Sequence, residues 1–169
     1  MLFRSIPEGS ALVCANHSKW LDPFLVVVAF GKQHHIHVMA KVELFRVPVL
    51  GFLLRKVESF PVDRGHNDVA AIRTSIKHLK NGEKLLIFPE GTRVSTDDAA
   101  IAKSGAVRLA ARTGAPLVPM HIPRKKPIFR RLRLVIGEPY WIDRNLLAEG
   151  DTAAATEMME KIRELQYQK

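Results

Sequence analysis

Short apolar runs rich in β-forming residues alternate with helical segments along the whole chain. Strands are predicted at 11–15, 36–40, 57–61, 84–89, 116–121 and 131–136. Because strands that alternate with helices form parallel sheets through crossover connections, this pattern indicates an α/β fold. We therefore expect a single domain over residues 1–169, with a central, mostly parallel sheet covered by helices.

Four helices are predicted from their end signals and from the spacing of their apolar residues. Asp22 and Pro23 predict the N-cap and first position of a helix that ends at Gly31. Further helices are predicted over 67–80, over 101–112 before Gly114, and from Asp151 onward. In the last of these, apolar residues recur at helical spacing, which predicts core packing by Met158, Met159, Ile162 and Leu165.

The segment 41–56 is very apolar but is interrupted by Pro48 and Gly51, which predicts a bent helix. Basic residues flank it on both sides. The pattern favours packing over the sheet, and the alternative is an interfacial surface that meets lipid with its basic flanks.

Composition excludes a disordered chain, since 47% of the 169 residues are hydrophobic and 25% are charged. The net charge of +9 indicates anionic partners such as acidic lipid headgroups, nucleic acid or phosphorylated metabolites. The single cysteine, Cys14, cannot form an internal disulfide, which suits a reducing compartment, and its apolar surroundings predict an inert buried thiol. The longest apolar run, 24–30, is too short to span a bilayer, so membrane contact is expected to be peripheral.

Polar residues with catalytic potential follow the strand predicted at 11–15. His17 and Asp22 lie five positions apart, so they can pair only where the chain turns between them, and Asp22 with Pro23 is expected to provide that turn. An imidazole held by a carboxylate through one nitrogen keeps the other nitrogen as an acceptor, which is the arrangement of a general base. The alternative is that Asp22 only caps the helix and that His17 is simply a neighbouring residue without a catalytic role.

Two more polar motifs follow predicted strands. Residues 88–93 combine a glycine with a hydroxyl, a carboxylate and a guanidinium, which suits a turn that approaches a phosphate. Residues 60–64 end in Arg64, which has the geometry for bidentate phosphate contacts. Each has a simpler interpretation as well, an ordinary turn for the first and a surface ion pair with Asp63 for the second.

These three motifs, together with Val118-Pro119, resemble the lysophospholipid acyltransferases related to the 1-acylglycerol-3-phosphate acyltransferases. The family signatures occur in order, as Asn16-His17 with Asp22, Asp63-Arg64, the unbroken Phe-Pro-Glu-Gly-Thr-Arg at 88–93, and Val118-Pro119. The resemblance covers residues 7–140 and implies a glycerol-phosphate acyltransferase-like fold. It also implies transfer of a fatty acyl group from acyl-CoA or acyl carrier protein to a lysophospholipid, above all 1-acylglycerol-3-phosphate, giving phosphatidate at the cytoplasmic face of a membrane.

The resemblance also assigns roles to residues. His17 is expected to deprotonate the acceptor hydroxyl, and Asp22 to orient His17. The glycerol phosphate would be held by Arg64, Glu90, Gly91, Thr92 and Arg93, with Lys41 as a further helper. The reaction requires no cofactor and no metal ion, and His34, His35 and His37 lack the spacing of a known metal site.

A basic cluster occupies residues 124–133, with six positive side chains in ten positions. Its candidate partners are anionic lipid headgroups, the phosphates of coenzyme A, or an acidic acyl carrier protein, and a solvated loop is the alternative. A different function class, a noncatalytic basic module for anionic membranes or nucleic acid, also fits the charge. Few aromatic residues accompany the basic ones, which argues against nucleic acid as a partner.

Overall fold

The computed structural model describes residues 6–31, 34–63, 68–91, 104–125, 132–142 and 150–167. Within them, the strands are β1 Ala11–Ala15, β2 Ile36–Lys41, β3 Phe60–Val62, β4 Lys84–Ile87, β5 Leu117–His121 and β6 Val135–Ile136. The α-helices are α1 Asp22–Phe30, α2 Pro48–Lys56, α3 Val69–Lys80, α4 Gly105–Thr113 and α5 Asp151–Glu164. Two short 3₁₀ helices are Val42–Arg46 and Leu165–Tyr167.

The described strands form a six-stranded sheet with the order β3-β2-β4-β1-β5-β6. Strand β1 lies at the centre and pairs in parallel with both β4 and β5, while β6 pairs antiparallel with β5. This architecture confirms the predicted α/β fold with a mostly parallel sheet. All the parallel strands end at one edge of the sheet, here called the carboxyl edge, and begin at the opposite amino edge.

Helices cover both faces of the sheet, so the central strand is buried on both sides. On one face, Leu12 and Cys14 pack in a cluster with residues of α3, α4 and α5. On the other, Val13 packs with Val26 and Phe30 of α1. Burial on both faces explains why β1 is continuously apolar rather than alternating. It also raises the pKa of the Cys14 thiol far above its usual range, in agreement with the predicted inert thiol.

The predicted bounds of β1 are correct, those of β2, β4 and β5 differ from the structure by one or two residues at one end, and those of β3 and β6 differ by more. Strand β3 begins at Phe60 rather than at residue 57, because α2 continues to Lys56 and the chain then reverses at Glu58, whose φ is 52°. Of the strand predicted at 131–136, β6 contains Val135 and Ile136, and Arg131 lies outside the described residues. Apolar residues alone did not distinguish a helix end from a strand start.

All four predicted helices are present, although α3 begins at Val69 rather than at 67 and α4 at Gly105 rather than at 101. The start of α1 also differs. Leu21 occupies the N-cap position there, and Asp22 is the first helical residue, so the predicted cap is wrong. Asp68 caps α3 by accepting a hydrogen bond from the Ala71 amide, and Gly114 ends α4 in the left-handed conformation. The predicted core residues of α5 and the following turn, Met158, Met159, Ile162 and Leu165, are buried.

The segment 41–56 is bent as predicted, with the break at Val47 between a 3₁₀ helix and α2. The prediction that it mainly packs over the sheet is wrong. In α2 only Gly51 and Leu54 are buried, whereas Val49 is 74% exposed and Phe52 58% exposed. Among the described residues, no helix combines the length and the apolar character that crossing a bilayer requires.

Candidate active site

His17 and Asp22 pair at the carboxyl edge, directly after the central strand β1. The distance from His17 Nδ1 to Asp22 Oδ2 is 3.1 Å. The same carboxylate oxygen accepts hydrogen bonds from the backbone amides of Ser18 and Lys19, each at 2.7 Å. The chain turns over residues 18–21, before Asp22 rather than at Asp22 and Pro23 as predicted. The carboxylate therefore closes this turn and holds the imidazole at the same time.

The Asp22 carboxylate sets the tautomer of His17. Asp22 is completely buried, and its Oδ2 faces three nitrogen atoms, two of which are backbone donors. A carboxylate oxygen in these surroundings acts as an acceptor, so His17 Nδ1 carries the proton and donates it. Nε2 then keeps its lone pair and is available as a proton acceptor. The imidazole retains 14% exposure, so it lies at the surface of the site rather than inside the core.

The loop after the neighbouring strand β4 fixes His17 from two more directions. The Phe88 ring stacks on the imidazole, with 4.2 Å between centroids and an interplanar angle of 25°. Glu90 Oε2 accepts a hydrogen bond from the His17 backbone amide at 3.1 Å. Glu90 is only 3% exposed, so the structure gives it a positioning contact that the sequence did not predict. Its predicted part in substrate binding stays a prediction.

Asn16 anchors the end of β1 to the chain after β5. Its amide nitrogen donates to the Ile122 carbonyl at 2.9 Å, and its amide oxygen accepts from the Ile122 amide at 2.7 Å. Asn16 is 1% exposed, so both hydrogen bonds lie in the interior. The sequence placed Asn16 in a motif without a role, and a polar residue at the end of a buried strand was the available signal.

The other predicted site residues lie on the same edge or outside the described residues. Lys41, the last residue of β2, forms an ion pair with Glu43 at 2.9 Å, and this contact lowers the pKa of the Glu43 carboxyl group. Gly91 has a φ of 68°, which glycine adopts readily, and its amide donates to the Phe88 carbonyl. Arg64, Thr92 and Arg93 lie outside the described residues, so their predicted roles stay predictions.

A cavity of about 480 Å³ opens at the carboxyl ends of β2, β3 and β4. Phe88 and Gly91 line it, so it adjoins the loop that supports His17. Its apolar lining comes from the sheet and from helices α3 and α4, and comprises Met39, Val62, Ala71, Ile72, Ile87, Ala106 and Leu109. Charged residues also line it, namely Asp63, Asp68, Arg108 and Arg112. Neither the Phe88 stack nor this cavity was predicted, because both depend on the packing of distant elements.

Known proteins of similar sequence indicate the family to which this chain belongs. A family model described as Acyltransferase matches residues 3–123. The chain is 41% identical over 141 residues to the 1-acyl-sn-glycerol-3-phosphate acyltransferase of Bacillus subtilis (strain 168), and the match covers 80% of this chain and 69% of that protein. It is 32% identical over 123 residues to the probable 1-acyl-sn-glycerol-3-phosphate acyltransferase of Mycoplasma pneumoniae, and this match covers 70% of this chain and 46% of that protein.

The fold also resembles a solved structure, the crystal structure of the 1-acyl-sn-glycerophosphate acyltransferase from Thermotoga maritima. The TM-score is 0.65, at 24% sequence identity, over 94% of this chain and 68% of that chain. This likeness concerns the fold alone, whereas the family model and the Bacillus subtilis relative concern the sequence. They confirm the acyltransferase prediction over the noncatalytic basic module, and the chain belongs to the acyltransferase family that includes the 1-acyl-sn-glycerol-3-phosphate acyltransferases.

Proposed function

We propose that this chain transfers a fatty acyl group from an acyl thioester to the free hydroxyl of 1-acylglycerol 3-phosphate, forming phosphatidate. The names of the Bacillus subtilis and Mycoplasma pneumoniae relatives support this acceptor. The observation that carries the proposal is the pairing of His17 Nδ1 with the buried Asp22 carboxylate at 3.1 Å. This pairing leaves Nε2 as the basic atom that acyl transfer to an alcohol requires.

The proposed reaction uses one proton acceptor and needs no change in oxidation state. His17 Nε2 takes the proton of the acceptor hydroxyl while the oxygen attacks the thioester carbonyl carbon. The resulting tetrahedral intermediate loses the thiolate when the carbon–sulfur bond breaks. The proton then passes from His17 to the thiolate, so the products are a diacyl lipid and a free thiol, and His17 is neutral again.

We further propose that basic residues near the carboxyl edge hold the acceptor phosphate. Arg64 follows Asp63, which lines the cavity, and Thr92 and Arg93 follow Gly91, which also lines it. An arginine guanidinium forms bidentate contacts with phosphate, and the net charge of +9 favours an anionic substrate. Lys41 ends β2 on the same edge, where it faces Glu43.

The cavity beside Phe88 is proposed to receive an acyl chain. Its volume of about 480 Å³ is typical of small-molecule sites. Most of its lining is apolar, and Phe88 belongs both to this lining and to the stack on His17. A hydrocarbon chain in the cavity would therefore lie next to the loop that holds the base, which suits a reaction at the end of that chain.

Helix α2 is proposed as the surface that contacts an anionic membrane peripherally. Apolar side chains that stay exposed in this helix include Val49, Phe52 and Leu53, and Arg55 and Lys56 follow in its last turn. Apolar side chains beside basic ones match a lipid surface with acidic headgroups. Trp20, 55% exposed and three residues after His17, adds an aromatic side chain of the type found at membrane interfaces. A single buried cysteine suits the cytoplasmic face, which is the proposed location.

The donor is proposed to be an acyl thioester of coenzyme A or of acyl carrier protein. Both carriers are rich in negative charge, and the basic cluster at 124–133 is complementary to either. Within the described residues this cluster begins at Arg124 and Lys125, three residues after β5.

Thiol release from an acyl-CoA, measured with and without 1-acylglycerol 3-phosphate, tests the proposal. The wild-type chain is expected to release thiol only when the acceptor is present. His17→Ala removes the base and is expected to reduce kcat on the order of a thousandfold. His34→Ala is the matched control, because His34 contacts Phe30 away from the site and should leave the rate within about twofold.

Each departure from this result contradicts a named part of the proposal. Thiol release without acceptor would indicate a thioester hydrolase. An unchanged rate in His17→Ala, in a variant with a native circular dichroism spectrum, would show that another group is the base. Mass spectrometry of the lipid product identifies the acceptor, and a product other than phosphatidate would overturn the choice of 1-acylglycerol 3-phosphate.

A further inference from the structure

A second cluster of histidine and carboxylate side chains lies at the amino edge of the sheet. It consists of His37 near the start of β2, His78 near the end of α3 and Glu83 in the turn before β4. One ligand atom from each of the three side chains lies within 4.8 Å of the other two. The proposed acyl transfer uses none of these residues.

His37 has the hydrogen-bonding pattern of a metal-binding histidine. Its Nδ1 lies 3.3 Å from the Glu58 carbonyl oxygen, which can only accept, so Nδ1 carries the proton. Nε2 therefore has the lone pair, and this buried atom has no hydrogen-bond partner among the residues that the structure describes. His37 is only 8% exposed. Histidines that bind metals commonly donate their other ring N–H to a backbone carbonyl, as His37 does here.

The remaining two ligand atoms lie next to His37 Nε2. Glu83 Oε2 is 3.4 Å from His37 Nε2 and 2.6 Å from His78 Nδ1. The Glu83 carboxyl group is ionised at neutral pH, as a glutamate ordinarily is, and so offers an anionic ligand atom. The rings of His37 and His78 are stacked with centroids 3.8 Å apart, and the more exposed His78 ring must turn for both nitrogens to face one ion.

We propose that His37, His78 and Glu83 bind a divalent transition-metal ion, for which Zn²⁺ is the best match. Two imidazole nitrogens and one carboxylate oxygen form a common zinc ligand set, and water completes a tetrahedral site. For the ion to bind at His78 Nδ1, the proton leaves this nitrogen and Nε2 takes one up from solvent, so the imidazole stays neutral, while His37 Nε2 and the Glu83 carboxylate bind without losing a proton.

The position of this site gives it a structural role rather than a catalytic one. His37 of β2 and Leu12 of β1 both pair with Leu85 of β4, so His37 is at the same level of the sheet as Leu12. Leu12 lies five residues before His17 in the chain. At a rise of 3.3 Å per residue, the two sites are about 16 Å apart along the strands. The ion would join α3, β2 and the turn before β4, and so stabilise the amino edge.

Titration of the full chain with Zn²⁺ after removal of metals by EDTA tests the site. Isothermal titration calorimetry on the wild type is expected to show one site per chain, and Zn²⁺ should raise the melting temperature. His78→Asn and Glu83→Gln each remove one ligand and are expected to weaken the Kd at least about tenfold. His34→Asn is the matched control and should change the Kd by no more than about twofold.

Binding of Co²⁺ gives an independent readout, since four-coordinate Co²⁺ absorbs visible light strongly. We expect this absorption in the wild type and its loss in His78→Asn. The inference is overturned if the wild type binds no Zn²⁺, or if His78→Asn and Glu83→Gln bind it as tightly as the wild type. Acyl-transfer activity does not enter this test, so its outcome is separate from that of the proposed function.

Discussion

Two histidine–carboxylate clusters lie at opposite edges of one sheet, and their carboxylates are held in different ways. At the carboxyl edge, Asp22 is fully buried and accepts from two backbone amides as well as facing His17. At the amino edge, the side chain of Glu83 is 33% exposed and contacts two imidazoles, those of His37 and His78. The same residue types therefore have different freedom to move.

This difference determines the chemistry that each cluster supports. A carboxylate fixed by backbone donors keeps one imidazole in one orientation and one tautomer, which is what proton transfer to a bound alcohol needs. A carboxylate held only by imidazoles can rearrange when a cation enters between them. A histidine beside an acid is thus informative only when the groups that hold the acid are known.

The largest effect is expected from Asp22→Asn, which removes the negative charge at the carboxyl edge while preserving side-chain size. The amides of Ser18 and Lys19 keep the Asn oxygen in the place of Oδ2, so the hydrogen bond that orients His17 is weakened and the charge that stabilises the protonated imidazole during acyl transfer is lost. We expect kcat to fall by roughly 10³-fold to 10⁴-fold, measured by acceptor-dependent thiol release. Glu58→Gln, a change at the amino edge, is the control, and its kcat should stay within about twofold of the wild-type value. A loss below about tenfold in Asp22→Asn would contradict the orienting role.

A smaller effect, on stability, is expected from Asn16→Ala at the end of the central strand. The change leaves the buried amide and carbonyl of Ile122 without their side-chain partner. We expect the free energy of unfolding to fall by about 3 kcal/mol, measured by urea denaturation. Asn81→Ala, at the exposed end of α3, should change it by less than about 0.5 kcal/mol. Equal effects of the two substitutions would show that the Asn16 hydrogen bonds add nothing to stability.

The connection between the two edges, residues 42–59, gives a third test. In α2, a Cβ added at Gly51 would collide with the Phe45 carbonyl, so Gly51→Ala must displace the helix from the preceding turn. We expect a loss of about 1–3 kcal/mol in the free energy of unfolding, measured by urea denaturation. At Gly105, the first residue of α4, an added Cβ meets no atom of the described residues within 4 Å, and Gly105→Ala should be neutral or slightly stabilising. Destabilisation by Gly105→Ala as large as that by Gly51→Ala would argue against the steric explanation.

The smallest effect is a pH dependence at the cap of α3. Hydrogen bonds from the backbone amides of Asp63 and Ala71 hold the pKa of Asp68 below its ordinary value of 3.8. The ionised Asp68 carboxylate therefore stabilises the folded state fully above pH 3.8, and this stabilisation is lost as the pH falls through the lower folded-state pKa of Asp68. Asp68→Asn still caps the helix but cannot titrate, so its melting temperature should decline less between pH 5 and pH 2 than that of the wild type. If the melting temperatures of the wild type and the variant declined equally, Asp68 would not be the source of this pH dependence.

The sequence predicted the residues at the carboxyl edge because their motifs follow strands. His17 follows β1 and Glu90 follows β4, and these strands are parallel neighbours, so their ends meet. The fold class could be predicted from the alternation of strands and helices along the chain. The order of the strands in the sheet could not be predicted, since apolar runs indicate that a strand is buried but not which strand it pairs with.

Contacts between distant residues were beyond prediction. The Asn16 hydrogen bonds join residues 106 positions apart. The cluster of His37, His78 and Glu83 was missed because only His34, His35 and His37 are close in sequence, whereas α3 and the turn before β4 bring the other ligands to β2. The predicted start of β3 was too early. Val57 is β-branched, which favours a strand, but in the structure it is the C-cap of α2, and no glycine marks the end of that helix.

The central place of β1 has a consequence for synthesis of the chain. This wholly apolar strand is made first, but its two partners, β4 and β5, begin at Lys84 and Leu117. Until β4 has left the ribosome, Ala11–Ala15 has neither partner, and until β5 follows it has only one; closing such long loops slows folding. While residues 16–83 are made, the nascent chain therefore exposes an apolar segment with no paired strand, which is the kind of segment that promotes aggregation.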